Sequence, residues 1–350
     1  MPAYIGKISD KRMQEKFSKF KGAILGHSYA DALGSGYEFF KGTIGEEEEI
    51  VFFELPRITR HSKYEWTDDF AMTYLTLEAT QGKGFEYEIN YKKLEELFLN
   101  WYKNAPDKGL HTFNVLSETE KYLQKHPNEL GVMEKKAKEI TDANPMSAGN
   151  GSLMRMSGGI FATQNKGFYE IWDIGYKLAS LTHPHRDSVR CCGLYLLFLT
   201  HFLNSDTKSK VIEGNISNKN EFKEYLFYWL TELEAFDIRN QIYKNLETDL
   251  KVFNPNRYVV TSFVLSILSI YQTWSENITP EEHYLAAIHK CIRVGDDTDT
   301  TSAITGALIG AIYGEQCIPI DVVKIYGYAG ESFEKVTYQD VVNKIESLFR

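Results

Sequence analysis

Cysteine is scarce in this 350-residue chain. Its four copies, Cys191, Cys192, Cys291 and Cys317, have neither the paired spacing of a zinc site nor the density of a secreted disulfide scaffold. Reduced thiols in a cytosolic setting are the expectation. Long apolar runs are missing as well. The longest, residues 191–203, is interrupted by Thr200 and His201 and is too short to span a bilayer. It reads as a buried helix, and no membrane partner is expected. Residues 1–21 mix charged and apolar side chains without the unbroken apolar stretch of a secretory signal, which makes a cytoplasmic location the expectation. Positive charge is in deficit, 39 Lys and Arg against 48 Asp and Glu for a net −9, and that balance repels phosphate backbones and anionic surfaces. No nucleic-acid partner is expected. Repeats and low-complexity tracts are absent. The polar stretches 104–109, 142–151 and 204–220 lack the length and Pro/Ser bias of an interdomain linker. One domain over residues 1–350 is expected, with a monomer as its state.

Helical spacing, by contrast, is abundant. Met13, Phe17, Phe20 and Ile24 share one helix face, as do Phe222, Tyr225, Trp229 and Leu233, and Val264, Leu265, Leu268 and Tyr271. Thr279-Pro280-Glu281-Glu282 supplies an N-cap, a proline at the first helical position and a capping-box glutamate. Few segments alternate with period two. The best strand expectation is residues 50–54, just after the acidic run 46–49, which reads as a solvated loop. An all-α fold with at most minor strand content follows.

Two acidic clusters stand at expected helix starts. In Thr67-Asp68-Asp69 a hydroxyl residue precedes two carboxylates and then an apolar helical run with Met72, Leu75 and Leu77. An N-cap followed by acids that favour the helix dipole explains that pattern without a ligand. The second cluster, Gly295-Asp296-Asp297-Thr298-Asp299-Thr300-Thr301, is harder to explain so. Three aspartates within four positions repel one another, and the helix they open continues through Ala303, Gly306, Gly310 and Gly314 as if meant for burial. Buried like charges require a cation. Ser302, Gly306, Gly310 and Gly314 form a small-residue stripe suited to close helix packing, which could bring this cluster against Thr67 to Asp69. Aspartate and threonine oxygens are hard ligands, so the expected ion is Mg²⁺ or Mn²⁺. Four aspartates suit a pair of ions roughly 3.5 to 4 Å apart.

At this point the chain resembles a known family, the ADP-ribosylglycohydrolases, related to the enzyme that removes ADP-ribose from dinitrogenase reductase. The matching pieces, in order, are Ala30-Asp31-Ala32-Leu33-Gly34 with Glu38-Phe39, then Thr67-Asp68-Asp69, then Gly149-Asn150-Gly151-Ser152-Leu153-Met154-Arg155, then Leu181-Thr182-His183, and Asp297-Thr298-Asp299-Thr300. The ordered set spans nearly the whole chain. The resemblance implies a compact multi-helix orthogonal bundle with a binuclear Mg²⁺ or Mn²⁺ centre. The activity it implies is hydrolysis of the bond between ADP-ribose and a side chain of an ADP-ribosylated protein or similar conjugate, with arginine favoured as acceptor.

Residue by residue, the resemblance implies metal ligation by Thr67, Asp68, Asp69, Asp297, Asp299 and Thr300. The loop Ser147-Ala148-Gly149-Asn150-Gly151-Ser152 is similar to the family's segment that wraps the diphosphate and adjoining ribose, with a helix expected from Leu153 onward to add its dipole. His183 matches a histidine of the ADP-ribose pocket; His185 is left unassigned. Glu38 matches a glutamate that assists catalysis in some members, and Asp107, in Asp107-Lys108-Gly109, an acid near the scissile bond, although a surface turn explains it equally well. The expected reaction is attack of a metal-activated water on the anomeric carbon, with Asp68 and Asp299 among the groups that carry it. Two departures stand out: Ala30 and Asp296 occupy positions where the family usually has glycine.

Two rivals are weighed against this reading. A helical prenyltransferase-type enzyme grips diphosphate with Asp-Asp-x-x-Asp, but Met72 and Thr300 stand where the third aspartate belongs. A relative that binds ADP-ribose without hydrolysing it should have lost ligands, whereas all six are present.

Overall fold

Helices and the turns between them make up most of the described residues, 11–42, 44–53, 61–84, 86–127, 129–204, 216–330 and 332–349, of the computed structural model. In chain order, α1 (Lys11–Gly34) and α2 (Asp68–Ala79) precede an antiparallel hairpin of β1 (Thr80–Lys83) and β2 (Glu86–Ile89). Next come α3 (Tyr91–Asn104), α4 (Leu110–Leu123) and α5 (Val132–Ala143), a 3₁₀ stretch (Leu153–Gly159), α6 (Phe168–Ser180) and α7 (Arg186–Leu203). The chain continues through α8 (Lys219–Glu232), α9 (Phe236–Lys244), α10 (Val259–Thr273), α11 (Pro280–Val294) and α12 (Thr298–Tyr313). A second antiparallel hairpin, β3 (Tyr326–Ala329) and β4 (Glu334–Thr337), leads into α13 (Tyr338–Phe349). The fold is all-α with minor strand content, as the spacing predicts. Among the described residues no helix is long and apolar enough to cross a membrane.

Local chemistry sets the helix starts. Thr279 and Glu282 form the expected capping box, each side chain accepting from the other's backbone N–H, at 3.3 and 2.9 Å. The apolar run 191–203 forms the buried C-terminal part of α7. The strand expected at residues 50–54 does not form over 50–53, and Glu54 lies outside the described residues. The reason is a side chain: the N–H of Val51 donates to the Tyr37 hydroxyl at 2.7 Å, and that hydroxyl donates back to the Val51 carbonyl at 3.1 Å. Tyr37 thus occupies the groups a neighbouring strand would have paired.

The most extensive helix pair is α1 against α12, and small residues bring the two close. A methyl group on Gly310 would lie 2.0 Å from the Gly22 carbonyl oxygen, and one on Gly306 would lie 2.4 Å from that of Gly26. At the other end, Thr298 Oγ1 donates to the Gly34 carbonyl at 2.8 Å. The stripe therefore lays the C-terminal end of α1 on the N-terminal end of α12, where the acidic residues stand. Gly306→Val is expected to lower stability by about 3 kcal/mol, since overpacking has no room to relax between two backbones. Chemical denaturation measures this, and a variant as stable as the parent would show that the helices part without cost.

Candidate functional site

The site begins with a residue to which the sequence reading assigned no role. Asp31, fully buried near the end of α1, accepts from the N–H of Thr67 at 3.2 and 3.1 Å, from its hydroxyl at 2.8 Å and from the N–H of Phe70 at 2.9 Å. These N–H groups open α2 and have no partner within that helix, so an anion is favoured there. Thr67 is the N-cap, as expected: its Oγ1 accepts from the Asp69 N–H at 3.3 Å, and it also lies 3.0 Å from Asp69 Oδ2. The signal for Asp31 was present: a lone carboxylate inside the small and apolar stretch that ends α1.

The second half is the start of α12. Gly295 and Asp296 both take positive φ, +82° and +63°, and this turn delivers Asp297 as N-cap. Asn256 Oδ1 accepts from the Asp297 N–H at 3.1 Å, and Asn150 Nδ2 donates to Asp297 Oδ2 at 2.7 Å and lies 3.0 Å from Ser262 Oγ. Thr300 Oγ1 lies 3.4 Å from Asp69 Oδ2, which joins the two helix starts. Carboxylate oxygens of Asp31, Asp69 and Asp299 fall within 4.8 Å of one another, as do those of Glu38, Asp297 and Asp299. Asp299 belongs to both groups. Asp68 belongs to neither; its Oδ2 accepts from the Gly109 N–H at 3.3 Å.

Asp296, the departure from the family's glycine, does not add its charge to these clusters. Its carboxylate is taken up by the Arg257 guanidinium and by the N–H of Asn256 at 3.2 Å. The αL turn explains why glycine suits this position, and aspartate tolerates it through such local bonds. The Asp296 carbonyl accepts from the Phe39 N–H at 2.8 Å, and Arg257 lies over the Phe39 ring at 4.6 Å. The segment carrying Glu38 is thereby tied to the start of α12.

Burial and mutual repulsion raise the carboxyl pKa values. Glu38 is pushed up to about 9, first by burial and then by Asp297, Asp107 and Asp68. Burial, with Asp107 and Asp31 nearby, takes Asp68 to about 7. Asp31 rises to about 6 through burial, even though its hydrogen bonds pull the other way. Asp69 and Asp299 stand well above the carboxylate range, through burial and then neighbouring acids. For His61 burial disfavours the charge, but contacts to Asp107 and Glu65 and the charge of Asp31 outweigh it and hold the imidazole up to about 10. Asp69 Oδ1 is buried with no hydrogen-bond partner. An all-oxygen donor set with an orphaned, buried carboxylate oxygen fits a hard divalent cation, and these residues could hold one.

The remaining expected site residues surround this centre. Gly149 forms a β-bridge with Tyr258; the Asn150 N–H donates to the Arg257 carbonyl at 3.1 Å and that of Ala148 to Met146 at 2.9 Å. Asn150 thus uses both backbone and side chain to hold its surroundings. Ser147 is buried, and Ser152 is fully buried with its Oγ 3.3 Å from Cys192 Sγ. The helix expected from Leu153 is not an α-helix but the seven-residue 3₁₀ stretch Leu153–Gly159. It ends in Gly158-Gly159, poor helix formers, and a methyl group on Gly158 would lie 2.6 Å from the Thr73 carbonyl oxygen. The extended helix dipole expected behind the loop is therefore missing. His183 is buried beside this loop, with its ring 4.5 Å from that of His111. Burial, with His111 and Arg155 adding, holds it well below the usual histidine range, as a neutral imidazole. His185 caps α7, accepting from the Asp187 N–H at 3.2 Å. Asp107, half-buried, faces His61 with Oδ2 3.6 Å from Nε2.

Known proteins are similar to this chain in sequence and in fold. The family model described as ADP-ribosylglycohydrolase matches residues 12–347. ADP-ribosylarginine hydrolase Tri1 of Pseudomonas putida is 22% identical over 342 residues, covering 95% of this chain and 78% of the relative. ADP-ribosylhydrolase ARH3 of Xenopus tropicalis is 25% identical, covering 87% and 89%. A solved structure titled ADP-ribosylglycohydrolase-related protein complex superposes with a TM-score of 0.63 at 19% identity, over 96% of each chain, and shares the fold. With a family model matched from the first turn of α1 to the last turn of α13, the chain belongs to the ADP-ribosylglycohydrolase family.

Proposed function

We propose that this protein hydrolyses the glycosidic bond between ADP-ribose and a modified protein side chain, with arginine as the favoured acceptor. The observation that carries the reading is the pair of overlapping oxygen clusters sharing Asp299, with Asp69 Oδ1 buried and unpartnered between two helix starts. Two Mg²⁺ or Mn²⁺ ions held by Thr67, Asp68, Asp69, Asp297, Asp299 and Thr300, with Asp31 beside them, would supply Lewis acidity toward the substrate's ribose oxygens.

The chain's own residues do the rest. Asp31 fixes Thr67 and the start of α2, and Asn150 orients Asp297. Glu38, tucked against Asp297 and Asp299, and the more exposed Asp107 are the carboxyl groups available to move a proton to the leaving group or from the attacking water. Ser147, Gly149, Asn150, Gly151 and the neutral His183 would bind ADP-ribose, while Ser152, fully buried, supports the turn from inside. Arginine is favoured because one relative is named an ADP-ribosylarginine hydrolase. An intracellular ADP-ribosylated protein, met by a monomer of this chain, is the natural partner.

The test offers ADP-ribosyl-arginine and ADP-ribosyl-serine peptides side by side, with Mg²⁺, Mn²⁺ or chelator. Metal-dependent release of ADP-ribose, faster from arginine, is expected. Release that persists in chelator would remove the metals from the reaction. Tight ADP-ribose binding without hydrolysis of any conjugate would make the protein a binder instead.

A further inference from the structure

Among the described residues Arg155 is the largest charged side chain with no exposed surface, and no carboxylate there hydrogen-bonds to it. Its Nη1 donates to the Gly151 carbonyl at 2.8 Å, and its Nη2 donates to the Leu178 carbonyl at 3.0 Å and to Thr182 Oγ1 at 2.7 Å. The guanidinium lies over the Phe98 ring at 5.2 Å. It therefore ties the 147–152 turn to the end of α6, the two pieces that face each other across His183. Proton direction along this chain is fixed by chemistry. A guanidinium only donates, so Thr182 Oγ1 accepts from Arg155. Among the described residues the single hydroxyl proton of Thr182 then has one partner within reach, Nδ1 of His183 at 2.8 Å. Were Nδ1 protonated instead, that hydroxyl proton would be buried with nothing to bond.

We infer that Arg155 and Thr182 are positioning residues that fix His183 as the Nε2–H tautomer, a hydrogen-bond donor turned toward the Gly149–Gly151 turn. Nε2 makes no hydrogen bond among the described residues, and a methyl group on Gly151 would lie 3.1 Å from it. The two glycines leave that space open. The low basicity of His183 agrees with a single donor proton, since an imidazolium there would carry two. The neighbouring His111 is oriented from the same residue, its Nε2 donating to the Thr182 carbonyl at 2.8 Å. The ligand this tautomer suits is an oxygen acceptor, a phosphate or ribose oxygen. That assignment rests on the reading of this pocket as the ADP-ribose site.

The experiment uses the full chain with Mg²⁺. Long-range ¹H–¹⁵N spectra of histidine-labelled protein at neutral pH, with His183 identified by its loss in His183→Gln, read the tautomer directly. The native protein is expected to show Nε2 protonated and Nδ1 bare. Thr182→Val, which keeps the shape and removes the hydroxyl, is expected to lose that fixed pattern. It is also expected to weaken binding of free ADP-ribose about tenfold, the loss of one well-placed hydrogen bond, and Thr182→Ser to restore both. A native His183 protonated on Nδ1, or a Thr182→Val protein with tautomer and affinity unchanged, overturns the inference. If the native protein binds no ADP-ribose, the substrate reading fails, and the native tautomer still decides the relay.

Discussion

An Asp299→Asn variant is expected to fold normally and to lose hydrolysis of ADP-ribosyl conjugates by about a thousandfold or more. Asp299 is the only residue common to both oxygen clusters, and it is buried in the start of α12. Asparagine keeps its shape and an oxygen but removes the charge. Burial, and then the neighbouring Glu38, Asp69 and Asp297, holds Asp299 well above the carboxylate range in the metal-free protein, so the same change also removes a buried acid that resists ionising there. Two opposite shifts should therefore appear together. In chelator the variant melts at or above the parent, and added Mg²⁺ or Mn²⁺ raises its melting temperature less than the parent's. A misfolded variant would melt lower under every condition, so the pair of measurements separates lost chemistry from lost structure. Near-normal turnover with parent-like metal stabilisation would discard the binuclear mechanism.

What could be read beforehand was what local chemistry dictates. Thr67 and Thr279 announce themselves as caps because the residues they bond lie two or three positions on. The stripe through Gly306 and Gly310 signals close packing because it repeats along one helix, and the partner surface it needs, Gly22 and Gly26, repeats likewise. Hidden features depend on contacts between distant segments. Asp31 caps a helix that starts more than thirty residues later, and Asn150 grips Asp297 from the other side of the chain. The strand expectation at residues 50–54 failed because a single tyrosine hydroxyl, 14 residues earlier, took the backbone groups of Val51. The hairpins escaped notice for a related reason. In the first, β2 alternates over only four residues, Glu-Tyr-Glu-Ile, while three of the four β1 residues are exposed and Gly82 takes φ +139°, so the pairing partner carries no period-two pattern.

Removing metal should make stability fall as pH rises. The site carboxyls of the metal-free protein have raised pKa values, about 6 for Asp31, about 7 for Asp68 and about 9 for Glu38. An acid raised in the folded state contributes stability that is complete below its unfolded value. That contribution is lost as pH climbs through the folded value. His61, a base raised to about 10, has the same sign, its contribution complete below the ordinary histidine range and lost on approach to 10. The buried His27 has the opposite sign: lowered to about 3, it costs stability only as pH falls below about 6.5. Between pH 7 and 8.5 Glu38 and His61 dominate, because Asp31 has already ionised and Asp68 is completing its ionisation. There the chelated protein should lose about 1.4 kcal/mol per pH unit for each group protonated only when folded. Saturating Mg²⁺ must find these carboxylates ionised, so binding strengthens with pH and offsets the loss. Melting curves at pH 7 and 8.5, with chelator and with Mg²⁺, should therefore diverge as pH rises. Parallel curves would mean that the buried acids and the ion do not share one site, and the acidic helix starts would then need another cation to explain their burial.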